Sequence, residues 1–339
     1  MSHDPEVTRR DLDRRGFLRL AGAAGIGFVA GSSVRGADAT PAAPAAAKAM
    51  SAPPMPTRNL GRTGHQVRLF SLGGQAAIEK ADNYDVAVPI IERALDLGVN
   101  YIDTAAFYGR GWSQRHLGAV MKRRRTDVFL ATKTHDRTRD GSLLLLDESL
   151  RLLETDHLDL WQIHNLSRME QVEQIFGKGG AMEALTRARD QKIVRHVGVT
   201  GHADPAVLIE AIRRFEFDTI LLALNAADPH HRPFTEKLLP LAVEKKLGII
   251  AMKIPARGRL VAPDGPKDGD TRIPMREAMA YTLSLPVSTV IIGCDSVEQV
   301  EENVRIARSF VPMSEEERLA LSERVSPIAR DALFFRNWG

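Results

Sequence analysis

The chain has 339 residues, with 46 Lys and Arg against 43 Asp and Glu, a formal net charge of +3, and 44% hydrophobic residues. Six Arg and five acids lie in the first 39 residues, leaving 40 basic against 38 acidic beyond them, so no basic field is left to recruit nucleic acid. The lone cysteine, Cys294, excludes an internal disulfide framework, and the length suits one large domain that buries about three quarters of its unfolded surface.

Taken in chain order, residues 1–39 stand apart. Residues 13–19 read DRRGFLR, followed by a weakly apolar stretch at 20–30 rich in Ala and Gly. This resembles a twin-arginine export signal, with Asp13 where such signals usually carry Ser or Thr. Ala37 and Ala39 form a small-x-small cleavage pattern, so the processed chain would begin near Thr40. The apolar run is far short of the ~20 residues needed to span a bilayer, so stable membrane insertion is not expected. The expectation is passage through the twin-arginine machinery in the folded state and a periplasmic or otherwise exported location. Residues 40–56 read as an Ala/Pro linker, too poor in large apolar groups to pack, and residues 57–339 as the folded domain.

Residues 57–70, with Gly61 and Gly64 at a turn, read as a short hairpin. Eight apolar runs follow at 69–72, 99–102, 128–132, 158–163, 194–199, 219–224, 248–252 and 289–292, alternating with longer stretches of helical spacing. Val88, Ile91, Ala94 and Leu95 mark one such helix, and Leu143, Leu146, Leu150 and Leu153 another. The alternation predicts an α/β fold, a closed (β/α)8 TIM barrel, with an N-terminal hairpin and an extra C-terminal helix opened by the capping-box pair Ser314 and Glu317. Residues 165–180 and 255–274 are the longer connections, suited to substrate and cofactor loops.

Chemistry concentrates where three of these runs end. Asp103, Lys133 and His164 each follow an apolar run, and Tyr108 lies in the loop after Asp103, in segments reading YIDTAAFYG, VFLATK and LDLWQIH. A phenol with a pKa near ~10 is a slow acid at neutrality. An ammonium nearby favours its ionisation, and a carboxylate keeps that ammonium charged. A neutral imidazole can donate to a carbonyl oxygen that gains negative charge. The set suits carbonyl reduction. With these motifs, Asn100 to Gly109 and the pair Ile163 and His164 above all, the chain resembles an aldo-keto reductase over about residues 60–310. The resemblance implies Tyr108 as proton donor, tuned by Asp103 and Lys133, with His164 orienting a small carbonyl substrate, an aldehyde or ketone.

The resemblance also implies NADP(H) as cofactor, with NAD(H) as the alternative, bound across the barrel mouth. Ser296, Gln299, Glu302 and Asn303 match positions at the adenine end, although Gly293 and Gln299 stand where many members carry basic residues. Arg257 or Arg259 could supply the missing charge. Met252 stands where the family places a ring against nicotinamide, and Lys253 follows it. Thr200 and Gly201 replace a Ser and Asn, and Leu221 replaces a Gln, of the carboxamide clamp, with Asn225 as a substitute on the same strand face. A folded export route further implies that the protein either carries its nucleotide out of the cytoplasm tightly bound or uses it in some other way.

Three loop histidines, His202, His230 and His231, have no acidic or thiol partner at ligand spacing, so no metal site is predicted. Asp268 and Asp270 lack a calcium-loop pattern. A second reading of the whole chain is a nucleotide-binding regulatory or interaction protein of the same fold with little turnover.

Overall fold

The computed structural model describes residues 53–262 and 265–338. The leader at 1–39, its cleavage point and most of the Ala/Pro linker lie outside the described residues. The linker's last part does pack. Met55 is buried, its Sδ accepts from the Phe70 N–H at 3.4 Å, and the Pro56 carbonyl accepts from the Leu69 N–H at 3.1 Å.

The first two strands, β1 (Thr57–Asn59) and β2 (Gln66–Arg68), pair antiparallel as the expected hairpin. Then come β3 (Phe70–Gly73), α1 (Tyr84–Asp96), β4 (Tyr101–Asp103), α2 (Trp112–Arg124), β5 (Phe129–Thr134), α3 (Arg139–Leu153) and β6 (Leu158–Ile163). The second half continues with α4 (Met169–Phe176), α5 (Ala181–Asp190), β7 (Val194–Gly201), α6 (Pro205–Arg214), β8 (Thr219–Ala223), α7 (Leu238–Glu244), β9 (Gly248–Met252), α8 (Met275–Leu283) and β10 (Thr289–Ile292). Outside the barrel run α9 (Val297–Arg308), α10 (Glu315–Val325) and the single turn α11 (Ala329–Ala332).

Strands β3 to β10 close in chain order into a parallel barrel, β10 pairing with both β9 and β3. The predicted eight runs are these eight strands, three of them, β6, β9 and β10, with the predicted bounds. Four strands run past their predicted ends, β3 to Gly73, β4 to Asp103, β5 to Thr134 and β7 to Gly201, and two of these extensions take in catalytic candidates. Asp103 is the last residue of β4, opposite Gly73, and β5 continues through Lys133 to Thr134, opposite Ile163. Ladder pairing, with β3 and β5 for Asp103 and with β6 for Lys133 and Thr134, carries polar residues into the strand where hydropathy alone would end it.

Side-chain alternation then sorts the chemistry. Thr132 and Thr134 turn outward to the helices, where they meet Gln114 at 2.8 Å and Ser142 at 3.0 Å. Lys133, between them, faces the barrel interior. The helices pack by their apolar stripes, α1 through Ala87, Ile90, Ile91, Ala94 and Leu95, which keeps Ile91, Ala94 and Leu95 of the expected stripe and buries Ala87 in place of the half-buried Val88. Side-chain caps start several: Thr138 for α3, Asp204 for α6, Ser296 for α9, and the Ser314–Glu317 box for α10. No helix among the described residues is long and apolar enough to cross a membrane.

The hairpin lies against the amino ends of the strands. Arg62 donates to the Phe217 carbonyl at 2.9 Å, and Arg58 to those of Val287 at 2.7 Å and Leu283 at 2.8 Å. Its turn residue Gly61 has φ +53°, and a Cβ there would clash with the Gly248 backbone at the start of β9. With the amino end closed, the opposite end is the open mouth. Gly61→Ala combines a strained φ with overpacking and is expected to cost ~2–3 kcal/mol, read as a fall of several degrees in Tm.

Candidate active site at the barrel mouth

The four predicted catalytic residues converge. Lys133 is 1% exposed and Asp103 3%, and the Lys133 ammonium is bonded to Asp103 Oδ1. It also donates to the Thr104 carbonyl at 2.7 Å and to Tyr108 Oη at 3.4 Å. An ammonium has three protons, and these three acceptors use them all. The second carboxylate oxygen of Asp103 accepts from Gln162 Nε2 at 2.9 Å and from the buried Tyr101 hydroxyl at 3.4 Å.

Tyr108 sits in a 3-10 turn directly after β4, half-buried, its oxygen accepting from Lys133 and its ring edge-on to His164 at 5.6 Å. The turn depends on Gly109, at φ +57°, where a Cβ would collide with the Glu79 carbonyl. The Tyr108 proton is not consumed by Lys133, which is a donor only. Burial raises the phenol's pKa above its ordinary value; Lys133 pulls it down and Asp103 pushes it up again. The lysine thus acts in the expected direction, but burial wins, and the phenol holds its proton throughout the neutral range.

Burial opposes the charge on Lys133, yet Asp103 and Tyr108 outweigh it and leave the ammonium with a raised pKa. His164, 8% exposed, follows β6 with its backbone N–H on the Thr134 carbonyl at 2.8 Å. Burial, then Lys133, His135, Arg137 and Lys253, hold its pKa well below the ordinary imidazole value, so the ring is neutral. Phe107, 64% exposed, stands edge-on to His164 at 6.2 Å and to His135 at 5.5 Å, walling one side of the mouth.

The predicted cofactor residues divide. Lys253 and Arg257 do come together at the end of β9, and neither forms an ion pair among the described residues. Lys253 bonds Gln75 Oε1 at 3.1 Å, and burial followed by Arg257 and Lys133 lowers its pKa to about 7. Lys253, Ala256 and Arg257 all have positive φ, a strained loop of the sort found at ligand sites. Met252 is buried beneath it.

The substitute clamp is otherwise engaged. Asn225, 1% exposed, donates to the Lys253 carbonyl at 3.0 Å and accepts from the Ala227 N–H at 2.9 Å, so both ends of its amide serve the backbone. Strand β8 ends at Ala223, so the alternation that would have turned Asn225 with Leu221 does not persist. The fully buried Thr200 hydroxyl accepts from the Asn165 N–H at 2.8 Å.

At the adenine end, Ser296 caps α9 and Gln299 Oε1 accepts from the Asp295 N–H at 2.8 Å, both on the helix's opening turn. Glu302 instead pairs with Arg305 on the exposed flank, and Asn303 is buried with its amide on Cys294 Sγ at 3.5 Å. Arg259 pairs with Asp331 and lies over the Phe334 ring. Among the histidines, His202 bonds Asn165 Oδ1 at 2.8 Å and His230 bonds the Ser322 carbonyl at 2.9 Å.

Several contributors went unpredicted. Gln162 had a signal: it faces the same way as Lys133, with which it is in register, as a lone amide inside an apolar strand. Asn165, at φ +49°, bonds both His202 and the Trp338 carbonyl, the latter at 3.2 Å. The C-terminal segment had none. Arg336, 2% exposed, is paired with the fully buried Asp228 and donates to the His202 carbonyl at 2.7 Å, which brings Trp338 to the mouth.

Comparison with known proteins bears on the fold and the family. Residues 69–272 match the aldo/keto reductase family. The chain is 27% identical over 307 residues to the uncharacterized oxidoreductase YqkF of Bacillus subtilis (strain 168), covering 79% of this chain and 95% of that one. The holo form of an aldo-keto reductase from Bacillus halodurans superposes with a TM-score of 0.67 at 25% identity, over 80% of this chain and 96% of that one. An aldo-keto reductase from Klebsiella pneumoniae in complex with NADPH superposes with a TM-score of 0.65 at 22% identity, over 80% and 95%. The chain belongs to the aldo/keto reductase family.

Proposed function

We propose that this oxidoreductase uses NADP(H) to reduce an aldehyde or ketone, with Tyr108 as the proton donor. The observation that carries the reading is the Lys133 ammonium, buried on Asp103 and donating its third proton to Tyr108 Oη. That leaves the phenol oxygen acting as acceptor toward the barrel and its own proton available toward the mouth.

The residues present fit the cofactor at its phosphates and less well at its carboxamide. Arg257 and Lys253, the latter with its pKa lowered to about 7 and raised again by any bound anion, are adjacent basic groups without an ion-paired carboxylate among the described residues, on a strained loop at the end of β9. Anionic oxygens suit such a pair. The amide of Asn225 and the hydroxyl of Thr200 are engaged by the backbone, so the pyridine end would rest on the buried face at Met252. The NADPH complex of the Klebsiella pneumoniae relative supports the same cofactor here. When bound, the reduced nicotinamide supplies a hydride to the carbonyl carbon.

The chain's own residues handle the proton. As negative charge grows on the substrate oxygen, Tyr108 Oη passes its proton to it, and the phenolate left behind faces the Lys133 ammonium. At 3.4 Å that attraction is worth roughly 5 kcal/mol at an effective dielectric of ~20. It is of a size to offset the burial that keeps the resting phenol protonated. Asp103 keeps Lys133 charged, and Gln162 with Tyr101 keeps Asp103 in place. The neutral His164 can donate one N–H to the same substrate oxygen without a competing charge. Solvent then returns a proton to Tyr108.

Export in the folded state, with nucleotide aboard, is the proposed setting, supported by the DRRGFLR segment alone. Replacing Arg14 and Arg15 together by Lys is expected to hold the protein in the cytoplasm; cell fractionation with equal periplasmic yield would contradict it. Tyr108→Phe is expected to lower carbonyl reduction by ~10²–10⁴ while nucleotide affinity, read by NADPH fluorescence, stays within a few-fold. Full activity in that variant would remove Tyr108 from the role.

A further inference from the structure

The C-terminal segment crosses the same strand ends that form the mouth, and it is held there in two unlike ways. Its anchor is Arg336. The guanidinium is paired with Asp228 after β8, donates to the His202 carbonyl after β7, and lies over the Phe234 ring at 3.9 Å. Both charges are buried, and removing either partner would strand the other in a dry interior. The path of the chain is therefore fixed as far as residue 336.

Beyond the anchor the hold is light. Trp338 is half-buried, and its ring centroid lies 5.0 Å from Lys253 Nζ, 5.0 Å from Arg257 Cζ and 5.3 Å from the His202 ring. Its carbonyl accepts from Asn165 Nδ2 at 3.2 Å, and its other contacts are local ones within the segment, an N–H donated to the Phe335 carbonyl at 3.1 Å and the Phe334 ring edge-on at 5.3 Å. Among the described residues neither cation has a carboxylate in ion-pair contact, although Glu79 and Asp103 act on Lys253 from further off, and the ring face offers both a diffuse negative potential at close range. A phosphate would offer full charges and directed hydrogen bonds to the same pair. The cations are thus claimed twice, once by the chain's own indole and once by the ligand they suit.

We propose that residues 337–338 form a self-capping strap: Trp338 sits on the Lys253–Arg257 pair in the free protein and leaves it when nucleotide phosphates bind, with Arg336 as the fixed point. The inference rests on reading the mouth as an NADP(H) site. A strong anchor next to a weak latch makes the exchange local, since the swing involves residues 337 and 338 and leaves Arg336 in place. Affinity measured on the whole chain then includes the work of lifting the ring, and removing the ring removes that work.

The test uses the full-length chain and its Trp338→Ala and Trp338→Phe variants, NADPH binding followed by its fluorescence, and inorganic pyrophosphate as a second probe. Trp338→Ala is expected to bind NADPH and pyrophosphate about tenfold more tightly, the scale of two lost cation–ring contacts, and Trp338→Phe to stay near the parent. In the parent, NADPH should also increase acrylamide quenching of the emission that Trp338→Phe lacks. Unchanged or weaker binding by Trp338→Ala overturns the strap, and if the parent still reduces carbonyls the reductase reading stands. Tighter binding without carbonyl turnover supports the strap and removes the reductase reading. No NADPH binding by any of the three at millimolar concentration overturns both.

Discussion

One buried ion pair organises the mouth of this barrel. An ammonium that is 1% exposed is unfavourable unless every proton has a partner, and Lys133 meets that condition only because Asp103, the Thr104 carbonyl and Tyr108 Oη surround it. The pair in turn dictates its neighbours. Asp103 needs Gln162 and Tyr101 to satisfy its second oxygen, and Tyr108 is left with an oxygen that accepts and a proton that is free. The same charge helps keep His164 neutral. What the site can do chemically follows from satisfying one lysine.

The fold supplies that lysine its position. Parallel pairing of β4, β5 and β6 sets Asp103, Lys133 and Gln162 on neighbouring strands, while the hairpin of β1 and β2 closes the other end of the barrel. A second buried pair, Arg336 with Asp228, does for the C-terminal segment what Lys133 with Asp103 does for the catalytic turn. Each fixes a short stretch of chain whose local sequence has little structural preference. Between the two pairs lies the loop after β9, where strained residues present Lys253 and Arg257.

The barrel and its four converging residues were legible because they are written locally. Apolar runs at strand spacing locate β3 to β10, and YIDTAAFYG, VFLATK and LDLWQIH carry the chemistry at their ends. Strand ends were less legible, since hydropathy stops at a polar letter and ladder pairing does not: hence Asp103 and Lys133 inside β4 and β5. The direction of the Tyr108 shift was misjudged, because a sequence shows the nearby lysine but not the burial that outweighs it. Asn225 was read by alternation past the end of β8, where the chain had already left the strand. The C-terminal strap was invisible, because Arg336 and Asp228 are 108 residues apart and no periodicity links them.

The account is tested most directly by titrating Tyr108 itself. The chain has four tyrosines, so ring-labelled tyrosine followed by carbon NMR, with Tyr108→Phe for assignment, isolates its phenol. The account expects Tyr108 to titrate above the ordinary value of 10 in the nucleotide-free protein, and higher still in Lys133→Met, where the cation opposing burial is gone. A Tyr108 that ionises well below that value, or one indifferent to the loss of Lys133, would contradict the claim that a buried ammonium and the burial around it together set the proton donor.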